Sequence, residues 1–492
     1  MRKFKEDYLK FVFSYKLKAF RQRKKMSISD LAEKTKISIS YISEIEKGLK
    51  YPKPERIAMI SQALDVSFDD LVTVKLDEDM NYVSMILNST IWNEFPFEQF
   101  GISIHEIFRL LTDSDNKAAA FIKTIYEIGK NYEMQGEHFL LAALRSFQAI
   151  NNNYFPQVEE ASEKFTGQFQ LSFDDIRNVA LIEKILKKQY GVEVNWRQLS
   201  SHPDLGIFRS VYKESSNKKK LYVNPALDDM QRAFVLLKEI AYQFMRLKER
   251  SQTFTVFQPK TFNEVYNNFV TSYFAGAALM KQEEIVTDLN QVFRQASWKP
   301  ELFLHLLEKY VVTPETFLHR LSQILPQFFG FKKLHYMRFL KKNGEKPNLD
   351  RELNNTDVFT ARGSHEHHCA KWLSVSSLED FEKVKDQKKY GLYAQKSTFL
   401  KSNKEFFNFT ICRTLNTNSD IVSSMTLGIL NNSDFKVRVK FWDDPMIKRV
   451  TVNETCERCY LSEDECLKRQ APPAIYLKEQ AEENVDRLLA EL

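Results

Sequence analysis

From residue 7 to 25, apolar positions recur at Phe11, Phe13, Leu17 and Phe20 among basic ones, a spacing that lays one stripe along a helix. Ser27 then stands as an N-cap, with Asp30 three residues on and Leu31 and Ala32 as the buried face of a second helix. Thr35, Lys36 and Ile37 make a short turn. Ser38 caps a third helix over 39–47 that stops at Gly48, and after Pro52 and Pro54 a fourth runs over 55–64. Residues 68–71 close a bundle of five short helices.

Residues 76–165 continue at helical spacing, through Ile104, Ile107, Leu110 and Leu111 and then Phe121, Ile122, Ile125 and Ile128, and read as a connector or dimerisation layer. Asn151 to Asn153, Tyr154, Phe155 and Pro156 mark a loop before a short helix over 158–165. A helix from Phe173 carries Ile176, Val179, Ile182 and Ile185. A strand at 192–196 and a hairpin of 207–213 and 221–223 then feed two helices, 230–247 and 262–280. The last third reads as strands at 334–340, 390–394, 406–412 and 421–430, with Asn343-Gly344 as a turn and Cys412 in a core strand, before a charged amphipathic helix over 475–492.

At 492 residues the chain exceeds what one core supports. An apolar fraction of 43% with 28% charged residues belongs to globular chains rather than disordered ones. With no signal-peptide pattern and no run of about 18 apolar residues, the expectation is a cytoplasmic protein without a membrane partner. Net charge is +6, yet residues 1–60 hold 16 Lys and Arg against 7 Asp and Glu, or +9, leaving −3 for the rest. The basicity is a property of the head, as a module that neutralises phosphates requires.

Leu31-Ala32-Glu33-Lys34 before the turn, and Ser38-x-Ser40-Tyr41-Ile42-Ser43-x-Ile45-Glu46-Lys47-Gly48 after it, closely resemble the phage-repressor-like (XRE) helix-turn-helix family over about residues 8–72. Two positions depart from it. Lys36 stands where glycine is common in the turn, and Ile28 where many relatives carry a phosphate-contacting glutamine. The resemblance implies double-stranded DNA as partner, with Ser38, Ile39, Ser40, Tyr41, Ser43, Glu44, Lys47 and Lys50 as the DNA-binding residues. On a helix capped by Ser38, Ile39, Ser40 and Glu44 point to base edges while Lys47 and Lys50 lie near the backbone. Glu44 either accepts a bond from a cytosine amino group or pairs with Lys47 as an exposed helix charge.

The small sheet and two helices of 166–328 resemble the ImmA/IrrE metallopeptidase-like domain. In that family the first helix carries His-Glu-x-x-His, because two histidines four apart share a face and hold zinc while the glutamate activates water. Here the stretch is Lys238-Glu239-Ile240-Ala241-Tyr242, and the third ligand position falls at Val270, ahead of Phe274, Ala275 and Leu279-Met280. All three metal ligands are absent, so no catalytic residue is assigned and Glu239 is expected in a salt bridge or at the surface. His365-Glu366-His367-His368 is followed by Cys369 and sits in a loop, so it is no substitute.

Cys456-x-x-Cys459 with Cys466 after it suits a tetrahedral structural zinc ion, with Cys369 as fourth ligand or His367 or His368 in its place. Reduced thiols without metal, and a redox role, are the competing readings. Disulfides are not expected in a chain without an export signal.

Taken with Cys369-x-x-Trp372, Arg469-Gln470-Ala471-Pro472-Pro473 and Asn153-Tyr154-Phe155-Pro156, the whole order resembles the short-chain fatty acyl transcriptional regulators of bacteria, apart from one extra residue between Cys459 and Cys466 and no aromatic before Pro472. It implies a transcription regulator, not an enzyme, that binds DNA as a homodimer and responds to a short-chain acyl-CoA whose pocket residues no motif assigns. The fold expected is multidomain, mainly α with α+β parts. Its divisions are a helix-turn-helix domain at 1–75, a helical connector at 76–165, an ImmA/IrrE-like domain without metal ligands at 166–328, and a β-rich regulatory domain at 329–492. An antitoxin-like or phage-type interaction factor is the alternative, and a metallopeptidase a weaker one.

Overall fold

A computed structural model describes residues 2–73, 95–97, 99–102, 124, 136–201, 205, 208–215, 218–250, 259, 261–358, 366–415, 418–462 and 464–491. Most of the connector expected at 76–165 lies outside the described residues. The chain divides into two compact units, Met1–Ala143 with Lys260–Phe262, and Leu144–Pro259 with Asn263–Leu492.

In the first unit, α1 (Arg2–Arg23), α2 (Ile28–Thr35), α3 (Ile39–Glu46), α4 (Pro54–Leu64) and α5 (Phe68–Val72) form the expected five-helix head. Local chemistry sets each boundary. Ser27 and Asp30 close a reciprocal capping box on α2, Ser38 caps α3, Pro54 opens α4, and Ser67 with Asp70 repeats the box on α5. Lys36 ends α2 in the left-handed conformation, φ 58 and ψ 24, which explains why glycine suits that position. Phe13, Leu17, Leu31, Ile42, Ile45, Ile57, Ile60, Leu64 and Leu71 make the core, all at most 2% exposed.

The division between the units falls within α6 (Gly136–Ile150), after Ala143, and in the second unit a loop leads from it into α7 (Pro156–Gln168). Asn152 and Asn153 adopt positive φ there, and Asn153 bridges the Gln148 amide at 3.1 Å and Ser322 Oγ at 3.0 Å. The expected helix from Phe173 is split. A short 3-10 turn, Asp175–Arg177, precedes α8 (Val179–Tyr190), because Asn178 caps Leu181 and restarts the helix.

A three-stranded sheet follows, of β1 (Val192–Asn195), β2 (Ser210–Ser215) and β3 (Lys218–Val223), in the order β1-β3-β2. Next come five helices: α9 (Asp229–Phe244), α10 (Phe262–Leu279), α11 (Gln282–Phe293), α12 (Pro300–Tyr310) and α13 (Pro314–Phe328). The second sheet has six strands, β4 (Leu334–Lys342), β5 (Asn348–Asn354), β6 (Gly391–Phe399), β7 (Glu405–Leu415), β8 (Asn418–Leu430) and β9 (Lys448–Val452). Their order is β5-β4-β8-β7-β6-β9, antiparallel except for β6 with β9. One face packs on α13, and the other on α14 (Leu373–Glu382). The short α15 (Ser433–Arg438) and terminal α16 (Ala474–Glu491) complete it.

One hydrophobic core runs from Phe155, just before α7, to Ile447, just before β9, so the helices α9–α13 and the second sheet bury each other. Inside it Arg320 is 1% exposed and donates to Glu159 at 2.5 and 2.9 Å and to the Met280 carbonyl at 3.0 Å. Among the described residues no helix is long and apolar enough to cross a membrane.

Candidate nucleic-acid interface

On α3, Ile42 and Ile45 are fully buried, which fixes the opposite side outward. At about 100° per residue, Ile39, Ser43, Lys47, Ser40 and Glu44 fall within about 140° of one another. Ile39 is 54% exposed, Ser40 and Lys47 are exposed, and Ser43 and Glu44 are half-buried. An exposed isoleucine in the first turn of such a helix suits a thymine methyl group, and the hydroxyls and charges beside it suit base edges and phosphates.

Ser38 Oγ accepts the Tyr41 N–H at 3.3 Å and so acts as the helix cap. Tyr41 sits at the margin of the face, its ring under the Arg56 guanidinium at 4.3 Å and the Lys50 ammonium at 5.4 Å. Arg56, exposed on α4, thereby joins the basic rim without any motif having marked it. Glu44 pairs with Lys50 at 2.7 Å, not with Lys47. The pair is half-exposed, so it positions Glu44 with little gain in stability.

Glu46 has a different task. Arg21 Nε and Nη2 donate to its two oxygens at 2.6 and 2.9 Å, and Nη1 to the Met26 carbonyl at 2.7 Å, tying α1 to the end of α3. Glu46, through its bond and its charge, raises the Arg21 pKa. Ile28 packs against the head's core and offers no polar group where relatives carry glutamine.

In the peptidase-like domain the three ligand positions are filled by other chemistry. Val270 is 1% and Tyr242 6% exposed, and Lys238 Nζ donates to Asn268 Oδ1 at 2.7 Å. Burial of the ammonium, with Arg351 and Arg209 nearby, pushes the Lys238 pKa down to about 7. Glu239 is 3% exposed and accepts from Arg250 at 2.6 and 3.0 Å and from Gln243 at 2.7 Å. The same guanidinium lies 3.6 Å from the Tyr212 ring centre and 4.4 Å from that of Tyr242. A fixed organic cation thus occupies the glutamate that in the peptidase pattern faces water.

The four predicted cysteines are all buried, Cys369 and Cys456 at 2%, Cys459 at 3% and Cys466 at 5%, and none forms a disulfide. Residues 367–369 run antiparallel to 454–456: Cys456 N–H donates to the His367 carbonyl at 2.9 Å and Cys369 N–H to that of Glu454 at 3.3 Å. This pairing brings Cys369 beside the C-x-x-C turn. Gln470 N–H points at Cys456 Sγ, 3.4 Å away, and Arg469 Nη1 braces the Cys456 and Cys459 carbonyls at 3.3 and 3.2 Å.

Burial, with the neighbouring Cys456 and Cys459, pushes the Cys369 thiol up to about 11. His367 is engaged through Nδ1 with Glu457 at 2.7 Å and through Nε2 with Lys346 at 3.0 Å, and His368 packs against Phe339 and Trp372. Among the described residues no three His, Cys, Asp or Glu side chains close to ion-holding geometry as they stand. Cys412 is a core residue, 0% exposed, with Sγ 3.4 Å from Ser377 Oγ.

No curated protein matches the chain. Among solved structures, a Mycobacterium tuberculosis transcriptional regulator is similar with a TM-score of 0.46 at 17% sequence identity, over 67% of this chain and 92% of that one. Two family models match: Helix-turn-helix over residues 17–71 and IrrE N-terminal-like domain over residues 187–322. The chain therefore carries an XRE-type helix-turn-helix head and, behind it, an IrrE-like domain.

Proposed function

We propose that the protein is a sequence-specific DNA-binding transcription regulator that works as a homodimer, with a small effector bound in its body setting DNA affinity. The carrying observation is the outward face of α3, where Ile39, Ser40 and Glu44 stand together on a helix anchored by Ser38 and by the Arg21–Glu46 pair. Two copies would set these helices in successive major grooves, about 34 Å apart. Short-chain acyl-CoA is the effector implied by the resemblance to bacterial short-chain fatty acyl regulators. The IrrE-like domain is read as regulatory rather than catalytic, supported by Lys238, Tyr242 and Val270 at the ligand positions and by the Arg250 clasp on Glu239.

Because residues 1–60 carry a +9 excess, binding of the full chain to duplex DNA is expected to weaken about 10³-fold or more between ~50 and ~200 mM salt. Fluorescence anisotropy checks it. A loss smaller than tenfold would contradict a phosphate-neutralising head.

We also read Cys369, Cys456, Cys459 and Cys466 as ligands of one structural zinc ion, which would cross-link the loop after β9 to the segment before α14. Four buried thiols and the Gln470 N–H aimed at sulfur support this reading. Thiolates in this number also suit an iron–sulfur cluster. Metal analysis of freshly reduced protein is expected to return about one zinc per chain, and Cys456→Ser to lose it and lower the thermal transition. Iron with sulfide, or no metal, would overturn the zinc assignment.

A further inference from the structure

The sheet face that packs on α13 carries a row of cations. Arg338 on β4 lies directly across from Arg351 on β5, and Arg413 on β7 directly across from Ser423 on β8, whose hydroxyl accepts from Arg338 Nε at 3.2 Å. Period-two alternation puts these side chains on one face with Tyr336. The Arg338 and Arg413 side chains are 10% and 6% exposed while that of Arg351 is 62% exposed, so the row runs from a buried end to an exposed one.

Two more cations face this row from the peptidase-like domain. Arg209, just before β2, lies in the field of Glu315, Arg338, Arg351 and Arg413, and Lys238 on α9 in that of Arg351 and Arg209. The opposing charge is small. Glu315, at the start of α13, accepts two bonds from Arg413 at 2.8 and 3.1 Å and lies 3.9 Å from Arg338, and Asp350 lies 3.5 Å from Arg338. Four guanidinium cations, and Lys238 with its pKa pushed down to about 7 by burial, thus stand against the Glu315 and Asp350 carboxylates. Glu239, next to Lys238 in the chain, also acts on it but is itself paired with Arg250 at 2.6 Å.

Arg209 has no ion pair of its own among the described residues, and Lys238 bonds to a neutral amide oxygen. Tyr336 is 0% exposed, lies in the field of Arg338, Arg351, Glu315 and Asp350, and its hydroxyl has no partner among the described residues. Its ring stacks on His319 at 4.3 Å.

We propose that this cluster binds a small oxyanion, a phosphate or a carboxylate, held by Arg209, Lys238, Arg338 and the Tyr336 hydroxyl. Enclosed cations in excess are costly unless an anion completes them, and the planar guanidinium fork matches an oxyanion in geometry as well as charge. Where the peptidase pattern places its first metal ligand, this chain has Lys238, so the site takes a ligand of the opposite sign. It goes beyond the DNA-binding reading and stands whichever effector that reading requires.

The experiment is thermal unfolding and calorimetric titration of the full-length protein with sodium phosphate, sodium acetate and sodium propionate, each against sodium chloride at equal ionic strength. At least one oxyanion is expected to raise the transition temperature beyond chloride. Arg209→Gln is expected to weaken that anion's affinity at least tenfold, and Tyr336→Phe to weaken it, with the unfolding transition of each variant in chloride alone as the check on the fold. Selectivity for phosphate assigns a phosphoryl ligand, and selectivity for acetate or propionate assigns a carboxylate. The head is the same in all variants, so anion binding there cancels. No response beyond chloride, or equal responses from the wild type and Arg209→Gln, would overturn the site while leaving DNA binding untouched.

Discussion

Arg320→Met is expected to destabilise the second unit by about 3–5 kcal/mol, because it strands a buried carboxylate. The Arg320 side chain is 0% exposed and makes a two-pronged bond to Glu159, which also accepts from the Tyr273 hydroxyl at 2.6 Å. Burial alone would lower the Arg320 pKa, and Glu159 more than offsets it. Without the guanidinium, the Glu159 carboxylate is left in the core without its ionic partner, which costs stability. The pair joins α7 to α13 across a sequence separation of 161 residues, so its loss is felt through the whole unit. The double variant Arg320→Met with Glu159→Leu removes both charges and is expected to recover most of the loss. Denaturant unfolding checks both. A double variant as unstable as the single one would show that packing volume, not the stranded charge, sets the cost.

The head was the most legible part of the chain, for a local reason. Ser27, Ser38, Pro54 and Gly48 act on backbone groups within a few residues, so they declare the helix ends without tertiary knowledge. Elsewhere the local signal was weaker. β5, Asn-Leu-Asp-Arg-Glu-Leu-Asn, is an edge strand with mostly exposed or half-exposed positions and reads as polar loop, and β9 is a five-residue edge strand. The apolar spacing from Phe173 to Ile185 reads as one helix, whereas the Asn178 side chain caps Leu181 N–H and restarts it.

Site residues followed the same division. The outward face of α3 could be read from helical periodicity, whereas the partner of Glu44 is Lys50, which lies beyond the turn at Gly48 and out of reach of a helix-spacing rule. The Arg250 clasp on Glu239 and the cation row on the second sheet have no sequence signature, because their members come from separate elements brought together only by the fold.

The central claim, that α3 reads DNA sequence, is tested most directly by selecting bound fragments from a random duplex library with the full-length wild type, Glu44→Gln and Lys47→Gln. Glu44 is half-buried on the outward face and fixed by Lys50, so its carboxylate is placed to accept from a cytosine amino group. Glu44→Gln is therefore expected to change the preferred base at one operator position, at a cost of about 1–3 kcal/mol for the original sequence. Lys47→Gln, an exposed cation on the same face, is expected to weaken all sequences alike and to reduce the salt slope by about one. An enriched motif with two related half-sites, altered at a single position by Glu44→Gln alone, is the predicted result. No enriched motif, or the same sequence-independent loss from both variants, would contradict the assignment of α3 as the reading helix.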